Sequence, residues 1–210
     1  MLIGRRFGPA GACLALGLAG LALVGTATPA GATTLRRMDF SELVAAADRV
    51  VHARVVENQV HWDSTHSRIF TDTVFEVIND AKGSGPKRLT ITQLGGRIDP
   101  VDMLVEGTPT FSAGEEVVLF SELHPSGQRL IVGFSQGVMR VHEDPETGHR
   151  VAVSDVAGGV SFVGGAPKRA AAPLDALLDQ VRQVAAGEAP GSKISKTPAK
   201  DPVAPKGGKP

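Results

Sequence analysis

Apolar residues change their period several times along this chain, and each change predicts an element. Phe40, Leu43, Val44 and Ala47 recur at helical spacing, and Asp39 with Glu42 has the spacing of an N-cap and its reciprocal partner. A short helix is therefore expected over 40–47. From Arg49 to Val60 the chain becomes dense in Val50, Val51, Val55, Val56 and Val60, which a helix disfavours because branching at Cβ crowds the preceding turn. The polar stretch His61 to His66 reads as a turn. Arg68 to Ile78 then alternates, with Ile69, Thr71, Thr73, Phe75 and Val77 on one face, completing a long hairpin.

Lys82-Gly83-Ser84-Gly85-Pro86 interrupts the pattern with turn-forming residues. A third strand follows through Leu89, Ile91 and Gln93 and stops at Gly95-Gly96, and 97–113 reads as irregular. Glu116 to Leu123 and Arg129 to Phe134 predict a second hairpin, and Val138 to His142 and Arg150 to Val153 a third. Several short strands separated by Gly/Pro turns favour a barrel or sandwich over alternating βαβ units. Near the C-terminus, Leu174, Leu177, Leu178, Val181 and Val184 form one apolar stripe. Pro173 suits its first turn and Gly187 the position past its end, so an amphipathic helix is expected to pack on the sheet.

The first 32 residues have a different purpose. Arg5 and Arg6, an apolar run from about Ala10 to Val24 and Ala30-Gly31-Ala32 have the form of a secretory signal peptide cleaved after Ala32. Export, to the periplasm, the envelope or the medium, is the expectation. The run is shorter than the roughly 20 apolar residues that cross a bilayer, so no membrane span is expected. Cys13, the only cysteine, lies near the start of that run, which disfavours a lipid anchor and leaves the mature chain with no disulfide or thiol chemistry. Residues 33–169 are read as one β domain, 170–187 as the helix on it, and 188–210 as a disordered tail of Lys, Pro and Gly.

Net charge is zero, but its distribution is uneven. The tail carries five lysines against Glu188 and Asp201, whereas residues 33–187 carry 15 basic and 20 acidic side chains. A mildly acidic domain with no tyrosine and one tryptophan lacks the basic, aromatic surface that nucleic acid requires. The tail lysines suit attraction to an anionic envelope polymer.

The segments Ala47-Asp48-Arg49-Val50-Val51-His52-Ala53-Arg54-Val55, Phe75-Glu76-Val77, Lys82-Gly83, Leu89-Thr90-Ile91 and Gly114-Glu115-Glu116-Val117-Val118-Leu119-Phe120 follow one another in a familiar order. Over residues 40–141 this order resembles the netrin-like module, whose best-known members are the tissue inhibitors of metalloproteinases, and is similar to exported bacterial proteins of uncharacterised function. The resemblance implies an OB-fold, a closed five-stranded Greek-key barrel. It also suggests an extracellular protease as partner. Those inhibitors direct an N-terminal cysteine at the protease zinc, whereas the mature start here is Thr33-Thr34-Leu35, so no inhibitory residue carries over.

Gly133-Phe134-Ser135-Gln136-Gly137 matches the G-x-S-x-G nucleophile pattern, with Asp144 and His149 following in hydrolase order. That chemistry needs a strand–turn–helix, whereas Val138 to Val141 reads as strand, so the catalytic reading is the lesser alternative. Glu115-Glu116 point to opposite faces of a strand, and the Lys82 turn lacks the spacing of a phosphate loop. His61, Asp63 and His66 share one turn with Trp62, the sole tryptophan. Their types suit a metal, but a fourth ligand is not evident, and no metal or cofactor is assigned. The expectation is a non-enzymatic binding module whose ligand loop contains His61, Trp62, Asp63 and His66.

Overall fold

A computed structural model describes residues 33–154, 156, 160–167 and 170–188; the expected signal segment and the tail beyond 188 lie outside the described residues. Along the chain come β1 (Thr33–Arg36), α1 (Phe40–Ala46), β2 (Arg49–Trp62), β3 (Ile69–Lys82), β4 (Arg88–Leu94), β5 (Gly96–Ile98) and β6 (Val101–Met103). Then follow β7 (Glu116–Leu123), β8 (Arg129–Ile131), a 3-10 turn (Phe134–Gly137), β9 (Val138–Glu143), β10 (Arg150–Ser154), β11 (Val160–Val163), β12 (Ala171–Pro173) and α2 (Leu174–Ala185). The fold is mostly β. Its main sheet has the order β12-β10-β9-β7-β2-β3-β4, with β8 also on β7. β1 pairs in parallel with β11, and β5 with β6 forms a small ribbon inside the stretch read as irregular.

The valine runs are buried on both faces of this sheet. Val50, Val118 and Phe120 face a layer made by both helices, where they meet Leu43, Val44, Leu177 and Val181. Val51, Ala53, Val117 and Leu119 point the other way, toward Phe75, Ile91 and Phe111. Successive strand side chains alternate in direction, so a continuous apolar run is what a strand covered on both sides requires. Helix α2 buries Leu174, Leu177, Leu178 and Val181, and Gly187 just beyond it adopts φ +83°.

The sheet does not close, which corrects the expected closed barrel. Among the described residues β4 pairs only with β3, and β8 only with β7. β8 ends after three residues because Gly133, at φ +66°, turns the chain into the 3-10 segment before β9 resumes on the same edge of β7. The strand predicted over Arg129–Phe134 is thus too short to build a ladder to β4.

The segments that carry the family resemblance hold this frame together. Lys82 Nζ donates to the Val44 and Ala47 carbonyls at 2.6 and 2.5 Å, placing a cation where the C-terminal carbonyls of α1 are unsatisfied. Gly83 has φ +68°, and a Cβ there would lie 2.5 Å from the Asp48 carbonyl oxygen, so the Lys-Gly pair is a packing requirement. Asp48 accepts from the Leu123 backbone N–H at 2.6 Å and pairs with Arg129. The buried Arg49 reaches Asp80 at 2.8 Å and the Pro86 carbonyl at 3.0 Å, joining β2 to the β3–β4 turn.

Candidate functional site

The unclosed edges of β4 and β8 face each other. Pairing directions through β3, β2 and β7 make the two strands parallel, and their Cα atoms approach within 8 Å without a ladder forming. Gly95 N–H bonds to the Ile69 carbonyl and Val77 N–H to the Lys87 carbonyl, so odd-numbered β4 residues serve β3. The N–H and C=O groups of Thr90, Thr92 and Leu94 therefore point to the open side. By the same parity, with His124 N–H on the Gln128 carbonyl and Val132 N–H on the Phe120 carbonyl, Arg129 and Ile131 direct theirs toward β4. Among the described residues no ladder pairs these edge groups across the seam.

A cleft of about 660 Å³ opens at one end of this seam. Its wall is mainly apolar, with Leu35, Phe70, Leu94, Ile131 and Phe134, and its polar groups include Arg68 and Glu122. Size and lining fit the usual character of a ligand site. Leu94 and Phe134 remain 38% and 41% exposed, leaving apolar surface available at the mouth.

The predicted loop adjoins this cleft without entering it. His61 stacks on Phe70, centroids 6.1 Å apart, and its Nε2 lies 3.1 Å from Asp72. The Trp62 carbonyl, then Asp72, raise the His61 pKa. Trp62 is partly buried and stacks on His66 at 6.2 Å. Asp63 accepts from the backbone N–H groups of Ser67 and Arg68 and from the Thr65 and Ser67 hydroxyls. Desolvation opposes ionisation of its carboxyl, but these donors outweigh it and lower the pKa to about 2. The carboxylate is occupied in closing the turn. Among the described residues no group of three or more His, Cys, Asp or Glu is arranged to hold a metal ion.

Ser135 is 1% exposed in the 3-10 turn, and β9 follows it as a strand. Six residues of β9 separate it from Asp144 by about 20 Å along the strand. Asp144 instead accepts backbone N–H bonds within its own turn, from Glu146 and Thr147. The pattern serves packing. The Gln136 side-chain oxygen accepts from Met38 N–H at 2.9 Å, and its amide donates to the Arg36 carbonyl at 3.1 Å, latching the N-terminal segment to the cleft wall.

A second polar cluster was not singled out by residue type, although a histidine inside a valine run is a visible irregularity. His52 is 2% exposed on the helix-covered face of β2, in a cleft of about 460 Å³ bounded by Arg150, Asp175 and Leu178. Its Nε2 lies 2.9 Å from Glu116, which also pairs with Arg54 and Arg150. Burial, then the charges of Arg150 and Arg54, lower the His52 pKa to about 4, against an opposing pull from Asp175. A neutral ring with Nε2–H donating to Glu116 satisfies the carboxylate.

A histidine whose folded pKa lies below its unfolded value near 6.5 binds fewer protons when folded. Its contribution to stability is complete above about pH 6.5, is lost as pH falls toward 4, and changes no further below that. Between pH 7 and 4 the wild type should lose roughly 3 kcal/mol more than His52→Gln in parallel urea titrations. Equal slopes would show that His52 is not the titrating group.

Among the described residues no helix is long and apolar enough to cross a membrane. No protein-family model, curated protein or solved structure matches this chain.

Proposed function

We propose that the mature chain is an exported, non-enzymatic binding module, related to the netrin-like OB arrangement through β2, β3, β4, β7 and β8, and that its ligand site is the cleft at the open seam. The observation that carries this reading is the coincidence of an apolar cleft with two facing strand edges that no ladder joins. Unpaired edges invite partners, and a stable fold either covers them or uses them. The burial of Ser135, and a strand where a nucleophile turn would need a helix, support a non-enzymatic role. Export rests on the Arg5-to-Ala32 pattern.

Exported protein, immobilised and exposed to its own culture supernatant or envelope fraction, is expected to retain a component that Leu94→Asp/Phe134→Asp does not. Both side chains are more than one-third exposed, so the double variant should keep the wild-type melting profile. Undiminished capture by the folded variant would remove the cleft as the site. Ser135→Ala should leave ester and peptide turnover at background, and a turnover lost only in that variant would restore the hydrolase alternative.

A further inference from the structure

We propose that the seam takes an extended, acidic-ended peptide segment of a partner protein, which adds as a strand to the free edge of β4. This rests on the cleft being the binding site and specifies what enters it. Thr90, Thr92 and Leu94 present a repeating row of N–H and C=O groups that only another extended backbone matches in spacing. Alternate side chains of such a segment would face the apolar wall at Leu94, Ile131 and Phe134. Arg88 opens β4 and lines a smaller cleft of about 410 Å³ at the other end of the seam, whereas Arg68, just before β3, stands at the register of Gly96, about 26 Å further along the strand direction. Both are exposed, and among the described residues neither has a carboxylate partner. A segment of about nine residues with a carboxylate near each end meets both guanidiniums. The chain's own tail, with its five lysines, has the wrong sign.

The seam must widen to admit it. Its strands approach within 8 Å, whereas a strand inserted between two others needs about 9.6 Å, so β8 must shift by at least about 2 Å. β8 is only three residues long and lies between Gly127 and Gly133, both at positive φ, which makes it the short side of the opening.

The probe is a peptide labelled with fluorescein on its N-terminal amine, fluorescein-Gly-Glu-Thr-Val-Thr-Val-Thr-Val-Thr-Glu-amide, whose Glu and Val side chains share one face as Arg88 and Leu94 do, titrated into the exported protein and followed by anisotropy. Saturable binding is expected, at least tenfold weaker when alternate backbone nitrogens on the pairing edge are methylated and at least tenfold weaker when both Glu become Lys. Thr90→Pro removes an outward N–H without touching the β3 ladder, and should weaken binding at least tenfold with an unchanged melt. If that variant unfolds, the methylated peptide against wild type carries the same test. No binding at 1 mM peptide, equal binding of the methylated peptide, or preference for the Lys-ended or tail-derived peptide overturns strand addition. Should the peptide fail while Leu94→Asp/Phe134→Asp still abolishes capture, only the strand mode falls. Failure of both removes the cleft as well.

Discussion

Arg49→Met is expected to lower stability by about 3–5 kcal/mol, the scale of breaking a buried charge pair from one side. Arg49 is 3% exposed, and its guanidinium holds Asp80 and the Pro86 carbonyl, while its own carbonyl accepts the Ser121 hydroxyl at 3.1 Å. Methionine keeps much of the volume but leaves the Asp80 carboxylate and the Pro86 oxygen without their donors. The midpoint of urea unfolding should fall with the slope unchanged. Arg49→Met/Asp80→Leu should recover part of the loss, since removing both partners avoids a stranded charge. If the single variant melts like wild type, the link between β2 and the β3–β4 turn does not support the fold.

Gly137→Ala should destabilise comparably, by about 3 kcal/mol or more, through overpacking against backbone. A Cβ at this position would lie 2.2 Å from the Val132 carbonyl oxygen and 2.9 Å from Ile131 Cγ2. Neither a rotamer change nor a small side-chain shift relieves a clash with a carbonyl whose own residue is bonded to β7 through Val132 N–H and the Phe120 oxygen. Gly127→Ala is the control. That glycine has φ +87° but nothing within 4 Å of the new methyl group, so only the left-handed conformation is penalised, about 1–2 kcal/mol. Equal effects at the two positions, measured by chemical denaturation, would mean that conformation and not close packing requires Gly137. Because Ile131 lines the cleft, Gly137→Ala should also weaken capture before it unfolds the protein.

Chemistry by residue type and chemistry by position separate clearly in this chain. His61, Trp62, Asp63 and His66 attract notice because they are close in sequence and suited to ligands. The structure uses the Asp63 carboxylate to close the turn and pairs His61 with Asp72. The cleft draws Leu94, Ile131 and Phe134 from three separate elements, and none is unusual where it stands. G-x-S-x-G shows the converse. Its residues form a motif on paper, but Gln136 serves as a latch and Gly137 fills a space that admits no side chain.

Local pattern was enough for much of the β architecture. Alternation with flanking turn residues located the long hairpin of β2 and β3, and the stripe from Leu174 to Val184 located α2, because period and turn chemistry are properties of neighbours in sequence. Uninterrupted apolar runs at Val50-Val51 and Val117 to Phe120 are the local trace of burial on both faces. Pairings over long separations had no such trace, including β1 with β11 and β12 with β10. The open seam belongs with them. Whether β4 meets β8 depends on the length of β8 and on where Gly133 turns the chain, and those follow from close packing around Gly137 and Val132. A hydrogen-bond ladder needs two edges in register at about 4.8 Å, a condition set by the whole sheet, and that is why closure was decided only in three dimensions.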